Sequence, residues 1–135
     1  WTLGLLDGEP LPLIQIETGR GFFDYTAKYE DNDTQYLFEF AFPTSVIKSI
    51  ESAGRRAYEA LGCRGLARVD LRVDRFHEPW VLEVNTIPGM TSHSLVPKAA
   101  SRLGLSLGAL CERSIHNCLN REPAVPHSRH LQPAT

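Results

Sequence analysis

The 135-residue chain has no CxxC pair, no HxxxH pair and an odd count of three cysteines, Cys63, Cys111 and Cys118, standing far apart. A disulfide framework or a zinc site wants even counts or tighter spacing, so neither is expected. The three thiols read as small apolar fillers in a reducing cytoplasm. The five histidines, His77, His93, His116, His127 and His130, lend a metal role little support. A basic excess is also missing: 14 Lys and Arg stand against 16 Asp and Glu, a formal charge of −2. That balance argues against a general nucleic-acid binder. No apolar run approaches the roughly 18 residues of a membrane span, and no charged-then-apolar signal segment stands at the start. No internal repeat occurs. The chain opens with Trp1 rather than Met, from which we expect a processed or cut piece of something longer.

What remains is ordinary globular composition, with 42% hydrophobic and 22% charged residues, enough for one domain that buries about two-thirds of its unfolded surface. Residues 2–7 and 11–16 are β-prone runs around Gly8-Glu9-Pro10 and predict a hairpin. Residues 17–36, rich in Gly, Asp, Asn and aromatics, predict a long loop of the kind that often carries function. Pro43-Thr44-Ser45 opens a helix with Thr44 or Ser45 as its cap. Ile47, Ile50, Gly54, Ala57 and Leu61 give that helix a stripe suited to packing on a sheet, and Gly62 stops it. Residues 66–73 and 80–84 predict two strands. Leu66, Arg68, Asp70 and Arg72 share one face of the first, and Val81, Glu83 and Asn85 share one face of the second. Helices are predicted at 95–103 and 106–119, separated by Gly104. The Pro-rich residues 121–135 predict a poorly ordered tail.

Chemistry concentrates at Arg68-x-Asp70 and Glu83-x-Asn85. Two carboxylates and a carboxamide on one face form a hard oxygen site suited to one or two Mg²⁺ ions, with phosphates completing the shell. Arg68 beside them can fork onto a phosphate or carboxylate. Spacing alone equally allows ordinary cross-strand ion pairs, Arg68–Asp70 and Arg72–Glu83, on a solvated face. The run from Asn85 into Pro88-Gly89 and the hydroxyls of Ser92 and Ser94 favours a ligand site. Lys28, between Tyr25 and Tyr29 in the long loop, can reach a phosphate as a flexible charge or can simply be solvated.

The stretches GFFDYTAKY, LGCRGLARVDLRV and LEVNTIPGMTSHSLVPKAA resemble the carboxyl-terminal part of the D-alanine–D-alanine ligases, ATP-grasp carboxylate–amine ligases. The likeness covers about residues 1–119; the segment from Glu83 to Pro97 is highly specific, whereas the Arg-x-Asp motif is common to many ATP-grasp proteins. The resemblance implies that Asp70, Glu83 and Asn85 are ligands of two Mg²⁺ (or Mn²⁺) ions, with Glu83 able to bridge them. It implies that Arg68 stabilises the transferring phosphate and the tetrahedral intermediate, and that the Gly89 amide joins the oxyanion hole. Ser94 and Leu95 would contact the carboxylate of the second D-alanine. Lys28 would reach the ATP phosphates, Tyr29 would belong to the mobile ω-loop that closes over the site, and Phe22 and Leu82 would pack the base.

The fold implied is α+β, a mainly antiparallel sheet backed by helices, with residues 1–120 as the C-terminal ligase domain. Residues 1–40 would come from the ATP-covering lobe and ω-loop. The reaction implied joins two D-alanines through an acyl phosphate at the expense of ATP, in cytoplasmic peptidoglycan precursor synthesis, by a parent that is a homodimer. No nucleic acid and no membrane are expected as partners. Tyrosine at 29 favours the dipeptide over D-alanyl-D-lactate, whose ligases often carry histidine near that position. The amino-terminal substrate and nucleotide residues of the family do not lie in these 135, so the isolated chain is expected to be weak or inert. Two other readings stay open: another ATP-grasp amino-acid or peptide ligase, and a non-catalytic interaction or dimerisation fragment.

Overall fold

After its first strand the chain reverses at Asp7-Gly8, both with positive φ (52° and 83°), the two-residue turn whose twist matches that of its flanking strands. Proline's fixed negative φ suits no central position of such a turn. The reversal therefore falls before Glu9-Pro10, not across it as the sequence predicts. In the computed structural model, which describes residues 1–17 and 34–120, β1 (Thr2–Leu6) pairs with a two-residue β2 (Glu9–Pro10). The chain then crosses back, and Ile14 exchanges two 3.0 Å backbone hydrogen bonds with Thr2. The second run does not complete a long hairpin: β3 (Gln15–Glu17) pairs instead with β4 (Gln35–Leu37) as a separate antiparallel ribbon.

β5 (Leu66–Val73) and β6 (Pro79–Asn85) complete the main sheet, in the order β2-β1-β5-β6 with every neighbour antiparallel. Along β5, Ala67, Val69 and Leu71 are buried while Leu66, Arg68 and Asp70 are half-buried, the alternation its sequence predicts. The β5–β6 turn is held by Asp74, whose carboxylate accepts from the Phe76 and Glu78 amides (2.8 and 3.0 Å) and from the Trp80 indole at 3.1 Å.

Helix α1 (Thr44–Ala60) covers one face of the sheet. Ile50, Ala53 and Tyr58 pack there with Leu3, Leu5, Leu13, Ala67, Val69 and Leu71. The stripe ends on Tyr58 and not on Leu61, which is 67% exposed, because Leu61 caps the helix as Gly62 (φ 63°) turns the chain away. Neither Thr44 nor Ser45 is the cap. Pro43 holds that position, and its carbonyl accepts from the Val46 and Ile47 amides. Glycine at 54 lets helix and sheet approach closely: a Cβ there would lie 2.7 Å from Leu3 Cδ2.

On the other side α2 (Leu95–Ser101) and α3 (Leu107–Leu119) form a second core. Leu95, Val96, Ala99, Ala100 and Leu110 meet Leu6, Leu11 and Ile14, with Ile16 and Tyr36 of the ribbon and Phe38 just after it packed alongside. Ser106 caps α3, its hydroxyl accepting from the Ala109 amide at 3.1 Å. The expected α+β architecture, a mainly antiparallel sheet with helices, is what the structure has. No helix among the described residues is long and apolar enough to cross a membrane.

Leu3 is fully buried, so a branched side chain at position 54 forces Leu3 or the helix itself to shift. Gly54→Val is expected to lower the unfolding free energy by about 2 kcal/mol in urea titration, the usual cost of overpacking. An unchanged midpoint and slope would contradict the close approach.

Candidate active site

The candidate face is assembled by strand register. Thr2 lies opposite Asp70 and Asp70 opposite Glu83, while Gly4 lies opposite Arg68 and Arg68 opposite Asn85. Directly opposed residues project to the same side of a sheet. Thr2, Arg68, Asp70, Glu83 and Asn85 thus share the face away from α1.

Within this row Arg68 forks onto Asp70, Nε to Oδ1 at 2.9 Å and Nη2 to Oδ2 at 2.8 Å. The same Nη2 stands 3.6 Å from Glu83 Oε1. Thr2 donates its hydroxyl to Asp70 Oδ1 at 2.6 Å. Arg68 and Asp70 side chains are only 11% and 16% exposed, whereas Glu83 is 56% exposed. Burial by itself pushes the Asp70 carboxyl up, but the hydrogen bonds from Arg68 and Thr2 and the guanidinium charge outweigh it, holding the group below the ordinary carboxylate value. The face therefore grades from a closed ion pair to an open carboxylate.

β6 departs from simple alternation. Glu83 pairs with Asp70 but Val81 pairs with Leu71, leaving Leu82 as an extra residue opposite the step from Asp70 to Leu71. This bulge puts Val81 on the α1 face with Leu71, so Val81, Glu83 and Asn85 do not share a face as the sequence predicts. Leu82 is left 65% exposed beside Glu83.

Asn85 leads out of the sheet by accepting the Ile87 amide on Oδ1 at 2.9 Å. The loop then runs through buried Pro88 to exposed Gly89. A Cβ at Gly89 would sit 2.8 Å from Ser94 Oγ, so this contact admits only glycine without a shift. Ser94 precedes α2, yet its hydroxyl caps no helix amide. It accepts from the Thr91 amide at 3.1 Å and shares a 2.8 Å hydrogen bond with Thr91 Oγ1. Leu95 has its side chain in the second core, 8% exposed, so what it can offer a ligand is its backbone.

The structure thus brings Arg68, Asp70, Glu83 and Asn85 together on the sheet, and Gly89 and Ser94 together beside it. Phe22, Lys28 and Tyr29 lie outside the described residues. Sequence reasoning missed Thr2, whose hydroxyl completes the Asp70 shell. It also missed Thr91, which holds Ser94. Thr2 carries no local signal, since only the β1–β5 register brings it to Asp70; Thr91 stood inside the segment already singled out. Among the described residues no three His, Cys, Asp or Glu groups converge. The candidate donors are two carboxylates and one carboxamide, a hard-oxygen set that fits Mg²⁺ or Mn²⁺ rather than zinc.

A mainly antiparallel sheet bearing this acid–amide–arginine face and flanked by helices is the architecture of the C-terminal part of ATP-grasp ligases. The likeness extends to solved structures. The D-alanine–D-alanine ligase of Bacillus anthracis complexed with ATP superposes with a TM-score of 0.73 at 34% identity, over 87% of this chain and 37% of that one. The VanG D-Ala:D-Ser ligase of Enterococcus faecalis gives 0.68 at 34%, over 85% and 34%. Residues 2–116 match the family described as D-ala D-ala ligase C-terminus, and the chain belongs to that family. A D-alanine–D-alanine ligase from Synechococcus sp. (strain JA-3-3Ab) is 49% identical over 121 residues, 89% of this chain and 38% of the relative. One from Hydrogenovibrio crunogenus is 44% identical over 110 residues, 82% and 35%. The chain thus spans little more than a third of the curated relatives it matches.

The Asp70 shell has a sign that can be tested. A carboxyl held below its unfolded value of about 3.9 contributes stability that is complete above that pH and lost as pH falls through the folded value. Asp70→Asn should flatten the acid limb of thermal stability below about pH 4. Melting curves of the two proteins that stay parallel across that range would contradict the shell.

Proposed function

We propose that this chain is the metal and oxyanion side of an ATP-dependent ligase that joins two D-alanines for peptidoglycan precursor synthesis. We take residues 1–120 as a single ligase unit. The observation that carries the reading is the strand-aligned face of Arg68, Asp70, Glu83 and Asn85 beside the Gly89–Ser94 contact. In the reaction a carboxylate oxygen of the first D-alanine attacks the γ-phosphorus of ATP, and the bond to ADP breaks. The amine of the second D-alanine then attacks the acyl carbon, and phosphate leaves.

Each residue has a task fitted to its geometry. Asp70 fixes the Arg68 guanidinium by a two-point fork, leaving the other N–H groups of Arg68 for the transferring phosphate and the tetrahedral intermediate. Asp70, Glu83 and Asn85 would hold Mg²⁺ or Mn²⁺, two ions if Glu83 bridges, and the ions would neutralise charge on the β and γ phosphates. The exposed Gly89 amide donates to the developing oxyanion. Ser94 and the backbone of Leu95 hold the carboxylate of the second D-alanine. Exposed Leu82, with Phe22, packs the base, Lys28 reaches the phosphates and Tyr29 favours an amine over a hydroxyl acceptor. The parent works in the cytoplasm as a homodimer.

The full-length ligase carrying this segment should release phosphate from ATP only when D-alanine is present, and EDTA should abolish the release. Glu83→Gln should lower kcat by about a hundredfold or more with the fold intact. The isolated 135-residue chain should show little or no release. Robust turnover by the isolated chain, or a full-length enzyme indifferent to D-alanine and preferring D-lactate or D-serine as acceptor, would overturn the assignment.

A further inference from the structure

Two cation–aromatic contacts stand one helical turn apart on the outer side of the second core. Lys98 Nζ lies 4.1 Å from the centroid of the Tyr36 ring, and the Arg102 guanidinium carbon lies 4.3 Å from that of Phe38. Tyr36 lies in β4 and Phe38 directly follows its end, just as Lys98 lies in α2 and Arg102 is the residue that caps its C-terminus. The contacts thus form a two-rung ladder, one rung between the elements and one at their ends. On the aromatic side Tyr36 belongs to the β3–β4 ribbon, where Ile16 is its register partner, and Phe38 follows the ribbon's second strand. Ile16, Tyr36 and Phe38 all pack on the core that contains Leu95, Val96, Ala99 and Ala100. Among the described residues the ribbon's two strands pair with each other and not with the main sheet that α2 packs on. Orientation of ribbon on helix thus falls to side chains. Apolar packing is non-directional, whereas a cation over a ring face is attracted by the ring quadrupole and fixes position.

What the ladder joins gives it a functional sense. The Lys98 amide donates to the Ser94 carbonyl at 3.1 Å, so Lys98 sits one turn along the helix that starts at Ser94, against which Gly89 folds. The ribbon ends at Glu17 on one strand and begins again at Gln35 on the other, and the residues between them in sequence include Lys28 and Tyr29.

We propose that Lys98 and Arg102 are positioning residues that lock helix α2 to the β3–β4 ribbon through Tyr36 and Phe38 and thereby set the placement of Ser94 and Gly89. This rests on the D-alanine ligase reading of the site. Neither cation touches substrate in this scheme; both act through the helix that presents Ser94.

The test is a double-mutant cycle in the full-length ligase, with Lys98→Met, Tyr36→Leu and the pair, beside Lys98→Arg and Arg102→Gln. Thermal melting first establishes that each variant is folded at the assay temperature. Lys98→Met and Tyr36→Leu should each raise KM for the acceptor D-alanine about three- to tenfold, with kcat and KM for ATP near wild type. The pair should be no worse than either alone, Lys98→Arg should restore KM, and Arg102→Gln should act in the same direction. Additive effects, or an unchanged acceptor KM in the folded variants, would overturn the positioning role. A separate readout comes from the 135-residue chain: the Lys98 side-chain protons should be shifted upfield by the Tyr36 ring, and Tyr36→Leu should remove the shift. Absence of that shift overturns the ladder itself, whatever the kinetics. A ring-shifted Lys98 in an enzyme with no D-alanine-dependent turnover would instead refute the ligase reading, and the positioning role with it.

Discussion

The fork between Arg68 and Asp70 is the interaction that most of this structure has to accommodate. Two opposite charges with little solvent exposure are costly unless each is paired and hydrogen-bonded. Asp70 meets the requirement with Arg68 Nε and Nη2 and with the Thr2 hydroxyl. That arrangement needs β1 in one register against β5 and no other. A shift by one residue would turn Thr2 to the α1 face and bring Leu3 against the carboxylate. The register is fixed at its opposite end by Asp7, whose amide donates to the Gly65 carbonyl while its carboxylate accepts from the Gly65 amide. Asn117 of α3 donates to the same carboxylate. The tight turn and the charged site are therefore the two ends of one constraint.

The layers explain why the site is open on one side only. Residues of β1 are buried along its whole length, as a strand covered on both faces must be. β6 has no such cover among the described residues, and its exposed stretch runs through Trp80, Val81 and Leu82. The bulge at Leu82 adds local twist at the strand carrying Glu83. It lets Val81 follow Leu71 to the α1 face while Glu83 and Asn85 keep to the other. One extra residue thus reconciles an apolar packing requirement with a polar functional one.

How far the sequence spoke depended on whether each position had a local signature. β5 announced itself because buried Ala67, Val69 and Leu71 alternate with charged partners, and the acid–amide–arginine face followed from that alternation. The helix stops at Gly62 and Gly104 were equally plain, since both take positive φ. The bulge was hidden because Trp80, Val81 and Leu82 are all apolar, leaving no polar marker to show where the alternation slips. Thr2 was hidden because its role arises from a partner 68 residues away. Leu95 came from family likeness alone, and its apolar side chain went where periodicity would send it, into the core. The turn at Asp7-Gly8 was legible in principle, as aspartate-glycine is a strong hairpin signal, but the neighbouring proline drew the boundary onward.

Electrostatics connects the constraint to the chemistry. Asp70 and Glu83 face one another across adjacent strands, where two like charges would repel. Arg68, at 2.8 Å from one and 3.6 Å from the other, sets a positive charge between them and helps hold the Asp70 carboxyl below its ordinary value. The fork already orients that guanidinium and fixes the direction of its remaining N–H groups. Preorganised donors of this kind contribute most where solvent is excluded. The Arg68 side chain is 11% exposed, so most solvent is already excluded from it. The pairing that fits the strand register is for this reason also the pairing that orders the candidate site.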